Sequence, residues 1–504
     1  MTIDGVSGRT AYIASSLSGL KSQLETLTEQ LSSGKKSTTY AGLGDAAGTA
    51  TGLRAQISTI AAYSDTATIL NTRINVANLS LQGISNAGKE VKAAAAGATL
   101  TLDNTGKTAG QATAMASFTQ MIALLNTEAG GRYLFSGRAT DTPATQSADV
   151  ILNGSGAQAG LKQLIDERAQ ADGTSGLGRL VITSPSPTAV TVAEDAAGSP
   201  FGLKLSAITT TSSGATVSGP AAPASPPGAA PEMSVDLGST NPSNGDKFRF
   251  TFNLPDGTSE TIELTASSTT PAPAGSFAIG TDPTATAGNL NAALTTAVGK
   301  LANTSLVAAS AITASDNFFG SPPQRVDTSS NPPVALRDGT AADTVTWYTG
   351  ENGSDPARGT AVAGIDQSIS VQYGARANED AFVNQLKSIA VYAAVSTDAS
   401  NPNANGQLTA LNSRIVDNLA VHPGAQSIQD IQSDFAGAQA AIKTATTRQT
   451  QTGAIAQSML DSIQGINDNE VVTKILALQT NLQASYQMTS SLYQLSLLKY
   501  LPVG

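Results

Sequence analysis

The two ends of the chain carry apolar residues at helical spacing. Near the N-terminus, isoleucine and leucine recur every three or four residues, a heptad pattern that predicts a helix with one apolar edge. This first series consists of Ile13, Leu17, Leu20, Leu24, Leu27 and Leu31. The pattern stops at Ser33-Gly34 and resumes near Asp45 in a second predicted helix. A third predicted helix ends at Gly130-Gly131, because glycine favours a helix C-cap.

The C-terminal end shows the same pattern in two further predicted helices. The first carries Ile428, Ile431, Phe435, Ala438, Ile442 and Ala445, and continues to Met459, Ile463 and Ile466. The last helix carries two apolar stripes. One contains Val471, Ile475, Leu478, Leu482, Tyr486, Tyr493, Leu497 and Tyr500, and the other contains Met488, Leu492, Leu495 and Leu498. Two stripes on one helix indicate that it is buried from more than one side.

Leucine stripes usually pack against partners in the same chain. Here they lie at both chain ends, which are ordinarily the least ordered parts of a domain. We therefore expect the stripes to pair with each other and to contact neighbouring subunits, and such a contact generates a helical polymer when it does not close into a ring. The expected assembly interface consists of Ile13, Leu17, Leu20, Leu24, Leu27, Leu31, Ile475, Leu478, Leu482, Tyr486, Leu492, Leu495 and Leu498.

The centre of the chain has a different character. Nineteen of the 22 prolines lie between Pro143 and Pro356, and an interior proline breaks a helix. Residues 247–254 and 260–265 alternate polar and apolar side chains on either side of Pro255-Asp256-Gly257, which predicts a β-hairpin. A short helix is predicted from Thr286 to Leu301. The centre is therefore expected to be an α+β or β-rich insertion.

Composition excludes several classes of function. The formal net charge is −10, and Lys35-Lys36 is the longest run of basic residues, so the sequence predicts no nucleic-acid binding. There is no cysteine, hence no disulfide and no thiolate chemistry. No run of apolar residues is long enough to predict a membrane span. Asp4 and Arg9 interrupt the first residues, which therefore do not resemble a cleaved signal peptide.

The sequence offers little catalytic chemistry. His422 is the one histidine and precedes Pro423 at a predicted helix end, where a solvated or capping role is expected. The pairs Asp166-Glu167, Glu194-Asp195 and Glu379-Asp380 are neighbours in sequence, so their side chains diverge and are expected to be surface or helix-start charges. We therefore predict that the protein is not an enzyme and has no cofactor and no metal site.

Several motifs resemble those of the bacterial flagellin family. Leu31-Ser-Ser-Gly34 and Gly44-Asp-Ala-Ala-Gly48 resemble its N-terminal signature, and Leu482-Gln-Ala-Ser-Tyr486 is similar to part of its last helix. Gly131-Arg-Tyr-Leu-Phe-Ser-Gly137 resembles a turn especially typical of the hook-filament junction proteins within this family. Phe250-Thr-Phe-Asn-Leu-Pro-Asp-Gly257 resembles an insertion of some alphaproteobacterial flagellins. The resemblance to the family covers both ends of the chain.

The resemblance implies a domain arrangement. Residues 1–40 and 468–504 would pair as a terminal coiled coil at the filament core, and residues 41–142 and 377–467 would form a helical inner shell. Residues 143–376 would form one or more variable outer domains, with a Pro/Gly-rich linker near residues 219–232. The fold expected is mixed, with long paired helical ends and a central insertion.

The resemblance also implies a function. The chain is expected to be an extracellular structural subunit that polymerises into the flagellar filament for motility, after export through the flagellar type III channel. Its implied partners are other copies of itself, hook-associated and cap proteins, and a flagellar export chaperone. One alternative is a hook-filament junction protein. A more distant alternative is a secreted adhesin or enzyme that uses the central region.

Overall fold

The protein contains both α-helices and β-sheets. The computed structural model describes residues 4–223 and 228–498, apart from the side chains of residues 4–7, 9, 10, 492, 493 and 495–498. Long helices lie near both ends of the chain, and the strands lie in its centre, as the sequence predicts. The chain divides into a terminal unit, Met1–Asn71, Ala363–Val371 and Gln439–Gly504, and a central unit, Thr72–Val362 and Gln372–Ala438.

Within the described residues, the α-helices follow the predicted helical ends and extend into the centre. In chain order they are α1 (Asp4–Ser33), α2 (Ala47–Ala96), α3 (Ala109–Leu125), α4 (Ala148–Asn153), α5 (Leu161–Ala171), α6 (Pro283–Leu301), α7 (Val307–Phe319), α8 (Asp380–Ala394), α9 (Ala404–Asn418), α10 (Ile428–Gln464) and α11 (Asp468–Leu498). The helix predicted from Thr286 is confirmed as α6, which begins three residues earlier because Asp282 caps it and Pro283 occupies its first turn.

The described strands form two four-stranded and two two-stranded sheets. They are β1 (Leu180–Thr183), β2 (Ala189–Glu194), β3 (Lys204–Thr210), β4 (Thr216–Ala221), β5 (Glu232–Asp236), β6 (Lys247–Asn253), β7 (Ser259–Ser267), β8 (Ser276–Ala278), β9 (Gln324–Val326), β10 (Leu336–Asp338), β11 (Val362–Gly364) and β12 (Ser370–Gln372). The orders of the larger sheets are β1-β2-β5-β4 and β3-β6-β7-β8.

The predicted hairpin is the centre of the second large sheet. Strands β6 and β7 pair antiparallel, with Phe250 opposite Ile262. Every second residue of β6 points inward, so Phe248, Phe250 and Phe252 are fully buried, and the same core contains Leu290 of α6. Period-two alternation therefore identified both the strands and their buried face.

The stretch predicted as a linker connects two strands of the other large sheet. Strands β4 and β5 pair antiparallel, and Ala221 lies opposite Glu232. The carbonyl of Pro231 accepts a hydrogen bond of 3.0 Å from the backbone N–H of Glu194. Residues 224–227, which belong to the same predicted linker, lie outside the described residues.

The third helix is shorter than predicted. Helix α3 ends at Leu125, whereas the sequence predicted an end at Gly130-Gly131. Asn126 is the C-cap, where the backbone leaves the helical conformation, and its side chain accepts from the backbone N–H of Thr145 at 2.9 Å and donates to its carbonyl at 3.1 Å. Gly130 and Gly131, with φ of 62° and 71°, instead form the turn that follows.

The apolar series of α10 is confirmed in its first half and wrong near its end. Ile428, Ile431, Phe435, Ala438, Ile442 and Ala445 are all buried. The predicted continuation at Met459 is 54% exposed, whereas Leu460 is only 6% exposed. A straight helix has 3.6 residues per turn, so a strict heptad series drifts around it by ~20° per heptad. Over the length of α10 this drift turns Met459 towards solvent and brings Leu460 onto the buried face.

Candidate assembly surface

The ends of the long helices meet in the terminal unit. Gly34, with φ of 65°, terminates α1 in the left-handed conformation typical of a helix end. The backbone N–H of Lys36 then donates to the carbonyl of Gln464 at 2.7 Å, and the N–H of Ile466 donates to the carbonyl of Gly34 at 3.2 Å. The side chain of Arg54 adds a bond of 3.0 Å to Oε1 of Gln464. These bonds place the end of α1 beside the start of α11.

Helices α1 and α11 pack against each other. Because the last residues of α1 lie beside the first residues of α11, the two helices run in opposite directions. A shallow groove between them is lined by Ser22, Gln23, Thr26 and Leu27 on α1 and by Lys474, Ala477, Leu478 and Asn481 on α11. Leu27 and Leu478, two residues of the expected assembly interface, therefore line the same groove.

The pairing of these helices covers the expected interface only in part. Ile13, Leu17, Leu20, Leu24, Leu27, Ile475 and Leu478 are half-buried, and Leu482 is buried. Leu31 and Tyr486 are exposed. Leu492, Leu495 and Leu498 lie outside the side chains that the structure describes. Much apolar surface on these helices thus remains accessible in the single chain.

Further apolar side chains of the terminal unit face solvent. We call the following residues the exposed apolar set: Tyr12, Leu31, Tyr40, Ile69, Ile455, Met459, Val472, Leu476, Tyr486 and Met488. Among the described large apolar residues of the larger central unit, only Leu79, Val181, Val334, Val362 and Val421 are similarly exposed. Exposed apolar residues are therefore concentrated in the smaller unit, which makes this unit the candidate for contact with another protein surface.

Sequence reasoning missed several members of this set. Tyr12 and Leu476, which are 78% and 58% exposed, each lie one residue away from a predicted interface position. The heptad pattern selects one edge of a helix, so it omits apolar residues on the adjoining face. The absence of charged residues could have identified Leu476, because the sequence contains no Asp, Glu, Lys or Arg from Ile475 to Leu498.

Charged residues on α11 are confined to its beginning. Lys474 forms an exposed ion pair of 2.5 Å with Glu470, one helical turn earlier. The hydrogen bond from Lys474 lowers the pKa of Glu470 below its usual value. A helix that faces water usually carries charge along its polar face, so the uncharged remainder of α11 is better suited to contact with protein than with solvent.

Each of the three acidic pairs contributes at least one residue to an ion pair. Glu194 is buried and contacts Lys204 at 2.9 Å, while Asp195 contacts Arg179 at 2.6 Å. The prediction of divergent side chains is confirmed, but the prediction of simple surface charge is wrong for Glu194, because its cation partner allows it to be buried.

The two other pairs also have basic partners. Glu167 pairs with Arg325. Asp166 is exposed, as predicted for a surface charge; partial desolvation and the neighbouring carboxylate of Glu167 raise its pKa. Glu379 pairs with Arg358 and stands at the N-cap of α8, followed by Asp380 in the first turn. The helix-start prediction is confirmed for this last pair.

The histidine lies where the sequence places it. His422 is exposed after the end of α9, and its Nε2 is 3.1 Å from the carbonyl oxygen of Asp417 in that helix. Within residues 4–223 and 228–498, no group of three or more His, Cys, Asp or Glu side chains is arranged to hold a metal ion. The described helices also include none with the length and apolar character that crossing a membrane requires.

Comparison of the chain with protein-family models and with curated proteins gives no match.

Proposed function

We propose that the chain is a flagellin-type structural subunit that polymerises into the filament of a bacterial flagellum. The observation that carries this proposal is the exposed apolar set of the terminal unit, together with the uncharged length of α11. Burying apolar surface contributes roughly 25 cal/mol per Å². Contact between copies would remove this surface from water. Because the same contact repeats along a polymer, the addition of each subunit would be favourable.

The finer arrangement is also a proposal. Helices α1 and α11 would pair as a coiled coil at the core of the filament, with residues 41–142 and 377–467 around them and residues 143–376 projecting outward. The partly buried leucines of α1 and the groove that they share with α11 support this arrangement. Leu476 and Tyr12 would then contact neighbouring subunits.

A non-catalytic, extracellular role completes the proposal. The subunit would leave the cell through the flagellar export channel with the help of a chaperone, and would contact cap and hook-associated proteins at the filament ends. The resemblance at Leu31–Gly34 and Gly44–Gly48 supports this setting. The neutralised acidic pairs support a structural function rather than an enzymatic one.

Deletion of the first helix tests the proposal. We expect full-length protein, seeded with sheared flagellar fragments, to grow filaments visible by electron microscopy. A variant lacking residues 1–31 should remain soluble, keep a folded central unit and fail to elongate the seeds. Normal filament growth by this truncation would overturn the proposal.

The turn at Gly131–Gly137 favours a second candidate, the hook-filament junction protein. Such a protein shares the helical ends but forms a short ring. Counting copies of the chain in isolated flagella separates the two functions. A copy number in large excess over the hook-associated proteins indicates a filament subunit, whereas a number equal to theirs indicates a junction protein.

A further inference from the structure

The central unit contains a pocket of about 260 Å³ lined by three arginines and no carboxylate. Arg73 enters it from α2, and Arg132 and Arg138 enter from the loop that follows α3. Tyr133 and Tyr373 add two phenolic hydroxyls to its wall. This concentration of positive charge is notable in a chain whose net charge is −10.

Two of the three arginines have no acidic partner among the described side chains. Arg138 is neutralised by Glu351 at 2.5 Å and Asp355 at 2.8 Å. Among the residues that the structure describes, neither Arg73 nor Arg132 forms an ion pair. The pocket therefore retains the charge of two guanidinium groups.

Arg73 is also short of hydrogen-bond acceptors. Its Nη1 lies 3.4 Å from the hydroxyl of Tyr373, at the long limit of a hydrogen bond. Its Nε is buried and has no hydrogen-bond acceptor within the part of the chain that the structure describes. A buried donor without a partner is costly, by ~1 to 3 kcal/mol and more for a charged group. An anion in the pocket would supply the missing acceptor.

The pocket also has an apolar part. Ile74, Ala77 and Phe435 contribute to its lining and are each buried. An inorganic anion would leave this surface without a partner, whereas an organic anion places its charge against the arginines and its body against the apolar side chains. A planar carboxylate matches the fork of N–H groups on a guanidinium.

We infer that this pocket binds a small organic carboxylate, held by Arg73 and Arg132 and packed against Ile74 and Phe435. The carboxylate oxygens accept from the two guanidinium groups, and the hydroxyls of Tyr133 and Tyr373 offer further donors. This site lies wholly within the central unit, and its occupancy does not depend on polymerisation.

Benzoate is a suitable probe because it combines a carboxylate with a flat apolar body. Binding to the unpolymerised full-length protein is measured by ligand-observed nuclear magnetic resonance, with benzamide as the neutral analogue and inorganic phosphate as the anion without an apolar body. We expect saturable benzoate binding with a Kd of about 1 mM or tighter. Benzamide and phosphate should each bind at least about tenfold more weakly, because each lacks one of the two features that the pocket recognises.

Two variants locate the site. Arg73→Gln should weaken benzoate binding by about tenfold or more, and Arg132→Gln should weaken it by several-fold, because each removes a charge-assisted contact. Arg249→Gln is the matched control, since it removes the same charge from an exposed ion pair on β6 of the same unit and should leave binding unchanged. Arg132 is exposed, so its replacement does not threaten folding, which circular dichroism verifies for every variant.

Three results would overturn the inference. One is benzoate binding that does not saturate, and another is equal binding of benzamide or phosphate. The third is a Kd for Arg132→Gln that equals that of Arg249→Gln in folded protein.

Discussion

The backbone N–H of Lys36 donates a hydrogen bond of 2.7 Å to the carbonyl oxygen of Gln464. This bond joins the segment after α1 to the last residue of α10, although more than four hundred residues separate them in sequence. The ammonium group of Lys36 adds a bond of 3.1 Å to the carbonyl of Ile463, at the end of α10, where the helix has unpaired carbonyls. The segment after α1 and the end of α10 are thus connected within the terminal unit, where the proposed assembly surface lies.

A charge on the exposed face of α11 should prevent assembly. Leu476→Asp places a carboxylate at a position that is 58% exposed in the single chain but buried between subunits in the proposed filament. We expect its thermal unfolding to remain close to that of the wild type, while seeded elongation falls at least tenfold by light scattering. Val421→Asp, at a site 90% exposed in the central unit, is the matched control and should elongate normally. Equal elongation by both variants would contradict the assignment of this face.

The adjacent residues Met459 and Leu460 should separate assembly from stability. Leu460 is buried, so Leu460→Ala should reduce the free energy of unfolding by about 2 to 5 kcal/mol, as expected for truncating a core side chain. Met459 is exposed, so Met459→Ala should leave that free energy nearly unchanged and slow seeded elongation. Urea unfolding followed by circular dichroism, together with light scattering, measures both effects. If Met459→Ala lowered the free energy of unfolding more than Leu460→Ala, Met459 rather than Leu460 would belong to the buried stripe of α10.

The turn of the β6–β7 hairpin should depend on Arg414. Its Nε contacts Asp256 at 2.5 Å, and both side chains are buried. Arg414→Met leaves the carboxylate buried without its cation, at an expected cost of about 3 to 5 kcal/mol in the free energy of unfolding. Arg249→Met breaks an exposed pair with Glu263 and should cost less than about 1 kcal/mol. Unfolding is followed by the fluorescence of Trp347, which is buried in the same unit. Equal losses in the free energy of unfolding for Arg414→Met and Arg249→Met would refute the distinction between the buried and the exposed ion pair.

Asp366 should contribute to the stability of the terminal unit only above acidic pH. The hydrogen bond from Arg448 and that from the backbone of Gln367 hold the pKa of Asp366 below its usual value. Because the folded pKa is lowered, this stabilisation is present above the unfolded pKa of about 3.9 and is lost as the pH falls through the folded pKa. The pair is partly exposed, so the contribution should not exceed about 1 kcal/mol.

Comparing wild type with Asp366→Asn tests this dependence. The difference in their free energies of unfolding, measured by far-ultraviolet circular dichroism in urea, should be greatest near about pH 6 and should shrink towards about pH 3. In an Arg448→Gln background, the same replacement should show a smaller dependence on pH, because only the hydrogen bond from the backbone of Gln367 still lowers the pKa of Asp366. A difference that grows as the pH falls would contradict the role of this ion pair.

The sequence predicted features that depend on local patterns. Strict alternation identified β6 and β7, and heptad spacing identified the buried first half of α10. The pairing of β2 with β5 was not predicted, because strand order depends on contacts between segments distant in sequence. The burial of Glu194 was also missed, since it depends on Lys204 from another strand.

The candidate surface was predicted less completely than the helices that carry it. Heptad spacing selected Leu27 and Leu478, which line a common groove, but it omitted Leu476 on the neighbouring face. Periodicity identifies the edge of a helix that one partner covers. It does not identify a second face that remains exposed until another subunit covers it. The domain boundaries and the membership in the flagellin family remain predictions.

The proposed filament requires the exposed face of α11 to become buried between subunits. The chain contains no cysteine, so Leu476→Cys introduces a unique thiol whose reaction with a maleimide reports its exposure. We expect rapid labelling in the monomer and at least about tenfold slower labelling after seeded polymerisation, while Val421→Cys reacts rapidly in both states. Labelling of Leu476→Cys at the same rate in monomer and polymer, or failure of the wild-type protein to polymerise, would contradict it.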